Sequence, residues 1–373
     1  MNLIFTCGGT AGHINPAIAV AKMMQERYPD AKILFIGATG HMEEKLVPQA
    51  GFEVKCLPGS GLSRRLNPAG IKKNIYAIKC VLDAVKECKR TFREFKPDVV
   101  IGTGGYASFP ALYAAQSMGI PTCVHEANAV PGVTTKMAAN KASRVLVAFE
   151  ESVQHYKHPD KVEVVGMPVR QEFIYTTKEA ARKELGLSGH VVVSAFGSLG
   201  AKVMNETMAD MMPMEQKDNF PFHHIHATGN FGKEWMPKRV KDNGVDYENC
   251  PTIDILDYIY NMPTVLAAAD VIIGRAGSAT CNEIAASGTP CILIPSPNVT
   301  NNHQEKNARV LENGGGAIVV LEKDCTPEKI YGLVTELLAD ENRRKEMGRK
   351  LQKMVQLDST EQICNIVEEL TKA

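Results

Sequence analysis

Short apolar runs alternate with segments of helical spacing along the first part of the chain. Leu3–Phe5 is an apolar run followed by a glycine cluster, and Ala17–Met24 then carries apolar residues at helical spacing until Tyr28 and Pro29. This pattern predicts a strand, a loop and a helix. The unit recurs, with strands predicted at Lys32–Ile36, Asp98–Ile101 and Pro121–His125 and helices from about Met42 and around Ala111–Ser117. Because strands that alternate with helices form parallel sheets covered on both faces, we expect a doubly wound α/β domain.

The same alternation restarts after Arg170. A charged helix at Lys178–Leu185, a buried strand at Val191–Val193 and a helix from about Lys202 are predicted. Further strands are predicted at His223–His226, Thr252–Leu256, Val271–Ile273, Cys291–Ile294 and Gly316–Val320. The Gly- and Pro-containing segment 165–170 is typical of a short connection between domains. We therefore predict two domains, residues 1–165 and 166–355, with a C-terminal amphipathic helix at about 356–373 that returns to the first.

Length and composition agree with two soluble domains. A chain of 373 residues exceeds the usual size of one hydrophobic core, and 44% hydrophobic residues are typical of a globular protein. The 42 basic and 42 acidic residues balance, which argues against bulk nucleic-acid binding. The ten cysteines show neither a CxxC pair nor the spacing of a disulfide framework, which favours reduced thiols in a cytosol.

Neither of two apolar segments is predicted to enter a membrane. The N-terminus, MNLIFTCGGT, lacks the charged start, long apolar run and cleavage site of a signal peptide, and it is predicted to be a buried strand. The residues between Asp98 and His125 carry no formal charge over a length that could span a bilayer. Glycines and prolines interrupt that stretch, so a strand, a glycine loop, a short helix and a second strand fit it better.

Each half has a glycine loop that follows a strand and opens a helix, GGTAGH at residues 8–13 and GSLG at residues 197–200. Such loops offer main-chain N–H groups and a helix N-terminus to anions. Two of them facing each other across a cleft would hold a diphosphate, whereas either alone could be a tight turn. Residues 8–12 do not match GxGxxG and no acidic residue ends Ile33–Gly37, so NAD binding is disfavoured. A Walker A motif is likewise missing at the glycine clusters.

His13 follows the last glycine of the first loop. The helix dipole there favours a neutral imidazole, so we predict His13 to be a general base. The segment His125–Asn128 ends another strand, and its polar side chains are expected to open on the same edge, with a solvated loop as the alternative. His223–His226 is expected to be a solvated or satisfied strand, and no paired carboxylate ends a strand, so neither a metal nor a cofactor is predicted. A leaving diphosphate would then depend on main-chain N–H groups and a cation such as Arg170.

Seven motifs, in order along nearly the whole chain, carry a family resemblance. They are GGTAGHINPAIAVA (8–21), GTGGYASFPALYAA (102–115), HEANAVPG (125–132), VVGMPVR (164–170), GSLGA (197–201), GRAGSATCNEIAASGTPCILIP (274–295) and NNHQEKNA (301–308). The chain resembles the MurG family of UDP-N-acetylglucosamine transferases of bacterial cell-wall synthesis, which convert undecaprenyl-diphosphate-linked N-acetylmuramyl-pentapeptide (lipid I) to its disaccharide form (lipid II). The resemblance implies the GT-B fold, two Rossmann-like doubly wound parallel-sheet domains facing a cleft, with the donor mostly on the second and the acceptor on the first.

The resemblance also implies individual contacts. Glu283 would bind the ribose hydroxyls, and the main chain at Ile259 would read the uracil. The segment from Arg275 to Thr280 would run past the diphosphate and the sugar. Ser198 and Arg170 would touch the phosphates, and Gln304 and Asn307 would bind the donor sugar. The other substrate-binding positions implied are Thr10, Ala11, Gly12 and Asn128 in the first domain and Ser278, Ala279, Thr280, Cys281 and Asn282 in the second.

Three positions depart from the family pattern. Phe196 stands where a glycine is common, Ala127 where glutamine is usual, and His303 where a second glutamine often stands. These departures affect details of contact rather than the chemistry. The implied reaction is an inverting displacement, in which the muramyl 4-hydroxyl, deprotonated by His13, attacks the anomeric carbon of UDP-GlcNAc as UDP departs.

The acceptor's lipid stays in the bilayer, so a docking face is expected. Segment 63–96 has ten Lys and Arg against three acids, interleaved with Leu66, Ile71, Ile75, Ile78, Leu82 and Phe92. We predict that it binds an anionic membrane surface, making the protein peripheral at the cytoplasmic face of the membrane, with a solvated helix whose apolar stripe is core as the alternative. The alternative functions are another GT-B enzyme, such as a diacylglycerol glycosyltransferase or a UDP-sugar epimerase, and a nucleotide-sugar-binding regulator without catalysis.

Overall fold

The computed structural model describes residues 1–59, 67–299 and 302–372. It divides into two compact units, Met1–Val169 with Gln356–Ala373 and Arg170–Val355. No helix within the described ranges is both long enough and apolar enough to cross a membrane. Residues 63–66 of the predicted basic segment lie outside the described residues.

The first unit is built on a parallel sheet. Over residues 1–59 and 67–169 it has seven strands in the order β3-β2-β1-β4-β5-β6-β7. Their bounds are β1 (Asn2–Thr6), β2 (Lys32–Ala38), β3 (Glu53–Leu57), β4 (Val99–Gly102), β5 (Thr122–Glu126), β6 (Arg144–Val147) and β7 (Val162–Val164). Because β1 pairs with β2 on one side and β4 on the other, the strand order reverses at β1. Open α/β sheets bind their ligands beyond the carboxyl ends of the strands at such a reversal.

Helices cover both faces of this sheet. Their bounds are α1 (Ala11–Arg27), α2 (Glu43–Gln49), α3 (Pro68–Phe95), α4 (Ser108–Ser117) and α5 (Val133–Ala139). Successive residues of a strand point to opposite faces. Leu3 and Phe5 accordingly join a buried cluster with α1, while Ile4 joins a second cluster with α3 and α4. Two covered faces explain why Leu3, Ile4 and Phe5 of β1 are all apolar rather than alternating with polar residues.

The second unit repeats the plan. Its described residues form six parallel strands in the order β10-β9-β8-β11-β12-β13. The strands are β8 (Val191–Ala195), β9 (His223–Ala227), β10 (Ile253–Leu256), β11 (Val271–Gly274), β12 (Cys291–Leu293) and β13 (Ala317–Val319). The helices are α6 (Glu172–Tyr175), α7 (Lys178–Leu185), α8 (Lys202–Lys217), α9 (Met236–Asp242), α10 (Met262–Ala268), α11 (Ser278–Ser287), α12 (His303–Asn313), α13 (Pro327–Ala339) and α14 (Glu341–Lys353). The order reverses at β8, so the loop after β8 lies at the equivalent position for binding a ligand.

The last helix, α15 (Ser359–Lys372), belongs to the first unit. Its buried face enters the same cluster as α1, through Ile363, Val367 and Leu370. At the edge of this contact, Arg27 Nη1 lies 2.8 Å from the carboxylate of Glu368. The first core is therefore completed by residues from both ends of the chain.

The predicted fold class, two Rossmann-like α/β units with parallel sheets, is confirmed. The sequence prediction lacks β3, β6 and β7. β3 and β7 are edge strands, and Lys55 and Glu163 interrupt their apolar residues. An edge strand is buried less completely, so it lacks the continuous apolar run by which the central strands are recognised.

Candidate active site

The first glycine loop connects β1 to α1. Gly9 has a φ of +87°, in the left-handed region that favours glycine. A Cβ at Gly105, in the loop after β4, would lie 2.3 Å from the carbonyl oxygen of Gly8. The two loops therefore approach main chain to main chain at the reversal of strand order.

Three of the predicted binding residues begin α1. Thr10 is the N-cap residue in an extended conformation and is exposed, and Gly12 is partly exposed. Ala11 opens the helix, but its side chain lies outside the described part of the structure. The first N–H groups of a helix have no partner within the helix, so this segment can offer them to an anion.

His13 lies in the first turn of α1, and its imidazole is held on the Nδ1 side. Nδ1 lies 3.2 Å from the carbonyl oxygen of Gly8 and 3.1 Å from Oγ1 of Thr10. A carbonyl oxygen can only accept a hydrogen bond, so Nδ1 carries the hydrogen and the neutral ring keeps its lone pair on Nε2. This is the tautomer that a general base acting through Nε2 requires. A Cβ at Gly104 would lie 2.8 Å from Cδ2 of the ring, so glycine there leaves room for it.

Glu43, the first residue of α2, is buried beside the same loop, and the sequence analysis did not select it. Oε2 accepts from the N–H of Gly9 at 3.2 Å, and Oε1 accepts from the N–H of Ala38 at 2.9 Å. The side chain is 0% exposed. Its position in the sequence could have indicated it, because Glu43 is an acidic residue at the start of a helix shortly after the buried strand β2.

The segment after β5 is organised around Glu126. Its Oε1 accepts from the main-chain N–H and Nδ2 of Asn128 at 3.0 and 2.9 Å, and its Oε2 accepts from the N–H of Gly132 at 3.1 Å. His125 is buried with Nε2 2.9 Å from the carbonyl oxygen of Gly166, and burial lowers the pKa of His125. The expectation that these polar side chains open on the sheet edge is therefore wrong for His125 and Glu126, whereas Asn128 is partly exposed.

The second glycine loop, residues 197–200, packs against the loop after β9. A Cβ at Gly200 would lie 2.0 Å from the carbonyl oxygen of Thr228, and the N–H of Phe231 donates to the carbonyl oxygen of Leu199 at 2.9 Å. This packing holds Ser198 exposed just before α8. The positive end of the α8 dipole favours an anion there.

The helix α11 contributes six of the predicted donor contacts. Ser278, Ala279 and Thr280 in its first turn are partly exposed. Cys281 is fully buried, which raises its pKa to about 12, and Asn282 donates from Nδ2 to the carbonyl oxygen of Ser278 at 3.0 Å. The N–H of Cys281 is also engaged within the protein, because it donates to the carbonyl oxygen of Gly277 at 2.9 Å. Contact of Cys281 and Asn282 with a ligand therefore stays a prediction.

Glu283, also on α11, has a strongly perturbed carboxyl group. Burial raises the pKa of Glu283 to about 7, and the positive charge of Arg170 partly opposes this shift. Arg170 itself is exposed, and its guanidinium carbon lies 4.9 Å from the centroid of the Phe173 ring. A carboxyl group whose pKa is shifted by burial and by one specific cation is a candidate functional group.

Three other predicted donor contacts lie around the same strand ends. Ile259 is buried in the loop after β10. Gln304 accepts through Oε1 from the N–H of Ser296 at 2.9 Å, and Asn307, which is 0% exposed, donates from Nδ2 to the carbonyl oxygen of Ala276 at 3.2 Å. Gln304 and Asn307 thus tie α12 to the loops after β12 and β11, and their contact with a sugar stays a prediction.

Arg275 is engaged within the protein. Its Nη1 donates to the carbonyl oxygen of Ile294 at 3.0 Å, and its Nη2 pairs with the carboxylate of Glu322. The guanidinium therefore fixes the loop after β11. Within the described residues, no group of three or more His, Cys, Asp or Glu side chains is arranged to hold a metal ion.

Comparison with known proteins assigns a family to this arrangement. The glycosyltransferase family 28 N-terminal domain matches residues 3–147, and the family 28 C-terminal domain matches residues 191–363. The chain belongs to glycosyltransferase family 28. A relative from Acetivibrio thermocellus, named UDP-N-acetylglucosamine–N-acetylmuramyl-(pentapeptide) pyrophosphoryl-undecaprenol N-acetylglucosamine transferase, is 40% identical over 100% of this chain and 99% of its own. A relative of the same name from a Thermoanaerobacter species is 42% identical over the full length of both chains.

A solved structure agrees with the family 28 assignment. The crystal structure of Acinetobacter baumannii MurG superimposes with a TM-score of 0.76 at 26% identity and covers 99% of both chains. The resemblance to the MurG family is thereby confirmed.

The second unit also contains a buried network of side-chain hydrogen bonds around Ser194. Ser194 Oγ lies 2.7 Å from both His224 Nε2 and His226 Nδ1, and His224 Nδ1 lies 2.8 Å from Glu215. All four side chains are 0% exposed, and burial lowers the pKa of His226 well below its usual value. Both ring nitrogens of His224 have hydrogen-bond partners within the protein, as expected for this strand. Nε2 of His223 lies 2.6 Å from Oδ2 of Asp254.

Proposed function

We propose that the protein transfers GlcNAc from UDP-GlcNAc to the 4-hydroxyl of undecaprenyl-diphosphate-MurNAc-pentapeptide, the lipid I to lipid II step of peptidoglycan synthesis. Full-length relatives at 40% and 42% identity are named for this transfer. The structural observation that supports it best is the tautomer of His13, whose Nδ1 is hydrogen-bonded to Gly8 so that Nε2 carries the lone pair. An inverting glycosyl transfer needs one such base to deprotonate the attacking hydroxyl.

The proposed reaction is a single displacement. Nε2 of His13 takes the proton of the muramyl 4-hydroxyl as that oxygen bonds to the anomeric carbon of the donor. The bond from this carbon to the diphosphate breaks, and its electron pair leaves with UDP. Attack opposite to the leaving group turns the α-linked donor into a β-linked product.

The second unit supplies the proposed donor contacts. Glu283 accepts hydrogen bonds from the ribose hydroxyls, and the main chain at Ile259 reads the uracil. The starts of α8 and α11 bind the diphosphate and sugar, with Ser198, Ser278, Ala279 and Thr280. The positive charge of exposed Arg170 stabilises the charge that develops on departing UDP.

A donor panel tests the proposal. The full chain is incubated with a lipid I analogue and UDP-GlcNAc, UDP-GalNAc or UDP-glucose, with and without EDTA, and both UDP release and disaccharide are measured. We expect turnover with UDP-GlcNAc that persists in EDTA, and at least about a hundredfold loss in His13→Ala. The control is His158→Ala, an exposed histidine of the same unit. UDP release without disaccharide would exclude the transfer, and wild-type turnover of His13→Ala would exclude this base.

We also propose that α3 docks the protein on the cytoplasmic face of the membrane. Ile75, Ile78 and Leu82 are 65%, 56% and 65% exposed. Their spacing places them on one helical face, and exposed Lys79 and Lys86 lie one turn further along. Apolar side chains flanked by lysines bind an anionic bilayer both by insertion and by charge. Phe92, predicted to belong to this surface, is instead buried in the core, and the side chain of Ile71 lies outside the described part.

Vesicle sedimentation tests this docking. Wild-type protein is expected to pellet with vesicles that contain phosphatidylglycerol and to stay in solution with phosphatidylcholine alone. The triple variant Ile75→Ser, Ile78→Ser, Leu82→Ser should lose pelleting yet keep its activity on a soluble acceptor analogue. The control is Leu357→Ser, an equally apolar exposed position away from α3. Unchanged pelleting of the triple variant would rule α3 out as the docking surface.

A further inference from the structure

The peptide group between Gly8 and Gly9 is hydrogen-bonded to Glu43 on one side and to His13 on the other. The N–H of Gly9 donates to Oε2 of Glu43 at 3.2 Å, and the carbonyl oxygen of Gly8 accepts from Nδ1 of His13 at 3.2 Å. These N–H and C=O groups are the two ends of one resonant amide. When the N–H donates to a carboxylate, the amide is polarised and its carbonyl oxygen becomes a stronger acceptor.

We propose that Glu43 is a positioning residue that acts on His13 through the Gly8–Gly9 peptide. The stronger acceptor keeps the hydrogen on Nδ1, fixes the ring orientation and makes Nε2 more basic. Carboxylates that bond a catalytic imidazole directly have this effect, and here a peptide stands between the two groups. The inference rests on the proposed role of His13 as the base.

The space around Glu43 is built for a carboxylate. A Cβ at Gly8 would lie 2.9 Å from Oε1, and a Cβ at Gly37 would lie 2.5 Å from Cγ. The second oxygen is held by the N–H of Ala38, so the group cannot rotate away from Gly9. An apolar side chain would fill a buried site at lower cost in desolvation. A role beyond packing, on the loop that holds His13, accounts for a carboxylate there.

Other titratable groups lie close to Glu43 and His13 on several strands and loops. Burial, and then the negative charge of Glu43, raise the pKa of Cys7 after β1 and of Tyr106 after β4. Near His13, burial lowers the pKa of His125 on β5. Cys7, Cys56 and Tyr106 lie within electrostatic reach of Glu43, and His125 lies within reach of His13. Cys7, Tyr106 and His125 are thereby kept uncharged near neutral pH and do not cancel the charge of Glu43.

Kinetics of Glu43→Gln test the coupling in the full chain. Glutamine keeps the size of the side chain but removes its charge and one acceptor. We expect kcat to fall about 10- to 100-fold, the size of a lost hydrogen bond to a charged group, with the donor KM unchanged. The acid limb of kcat/KM against pH should move to lower pH, because the imidazolium loses a stabilising anion. Glu44→Gln, at the exposed neighbouring position, should match the wild type.

Nitrogen-15 NMR of histidine-labelled protein supplies a readout that does not depend on turnover. The His13 signals, assigned with His13→Ala, should show hydrogen on Nδ1 in the wild type and a mixture of tautomers in Glu43→Gln. If circular dichroism shows that Glu43→Gln does not fold, Glu43→Asp, whose shorter side chain withdraws the carboxylate from Gly9, should give the same mixture. An unchanged tautomer and acid limb would overturn the coupling even when His13→Ala is inactive. Wild-type turnover of His13→Ala would instead sink the proposed base, while the NMR result would still decide the coupling.

Discussion

Glu283 combines a partly buried carboxyl group with a proposed role in binding the ribose. Its pKa of about 7 means that the ligand-free protein loses the carboxylate as the pH falls through neutrality. A protonated carboxyl group accepts hydrogen bonds less well than a carboxylate, so the state that binds ribose hydroxyls best prevails above pH 7.

UDP affinity should therefore weaken as the pH falls. Calorimetric titration between pH 8 and 5.5 is expected to show Kd rising below pH 7 by up to about tenfold per pH unit. Glu283→Gln cannot ionise, so its Kd should be higher at pH 8 but should follow only the titration of UDP itself. Glu179→Gln, on the exposed side of α7, should behave as the wild type. Parallel pH profiles for the wild type and Glu283→Gln would contradict the assignment.

We expect the hydroxyl of Ser194 to stabilise the second unit, because it joins two buried histidines. Ser194→Ala would leave His224 Nε2 and His226 Nδ1 without their shared partner in a site that water does not reach. We expect the free energy of unfolding to fall by about 1–3 kcal/mol in urea denaturation. Ser188→Ala, at an exposed position just before β8, should change it by less than about 0.5 kcal/mol. Equal stabilities of the two variants would show that the hydroxyl contributes nothing.

At the scale of elements, the site depends on loops that touch main chain to main chain. Gly200 shows this best, because a Cβ there would meet a carbonyl oxygen of the neighbouring loop rather than a side chain that can move. Gly244 has a similar positive φ, +85° against +75°, but open space around it. The two glycines separate the cost of backbone conformation from the cost of a clash.

Gly200→Ala should therefore be far more harmful than Gly244→Ala. The control variant pays only for the left-handed conformation, about 1 kcal/mol. Gly200→Ala must in addition push residues 197–200 away from Thr228, so it should lose more stability and raise the KM for UDP-GlcNAc. Urea denaturation and donor kinetics check both effects. The argument fails if the two variants lose the same stability and bind the donor equally.

The site is predictable where chemistry and position coincide along the chain. His13 and the glycine loops follow strands directly, so the strand-loop-helix pattern places them at the sheet edge. Glu43 acts on a loop 34 residues away in sequence, and no local pattern reports such a contact. His125 and Glu126 are the last two residues of β5, yet their side chains are buried, with Nε2 of His125 bonded to the carbonyl oxygen of Gly166 and Oε2 of Glu126 accepting from the N–H of Gly132. Sequence periodicity shows which face of a strand or helix a residue lies on, but it does not show which group will form a hydrogen bond with its side chain.

For the whole molecule, α15 makes the two units unequal. The second unit, Arg170–Val355, is continuous in sequence, whereas the first needs α15 to cover the apolar face of α1. The amphipathic pattern of α15 predicts a helix, but only the structure shows that Ile363 and Val367 pack into the same core as Ile14.

Fragments should reflect this inequality. Residues 170–355 are expected to unfold cooperatively on their own, as monitored by circular dichroism in urea. Residues 1–169 should lack a cooperative transition, because without α15 they expose the apolar side of α1 to water. Joining residues 356–373 to residue 169 through a flexible linker should restore the transition. A cooperative transition of 1–169 alone, as steep as that of the joined fragment, would disprove the requirement.

The same discontinuity sets an order of events during synthesis. The ribosome makes domains in sequence, and each usually completes its core as it emerges. Here the residues that close the first core are translated after the whole of the second unit. The apolar face of α1 therefore stays uncovered while the 186 residues of Arg170–Val355 are synthesised. The second unit can fold before the first is complete. In the cell this interval is when nascent chains are most exposed to aggregation and depend most on chaperones.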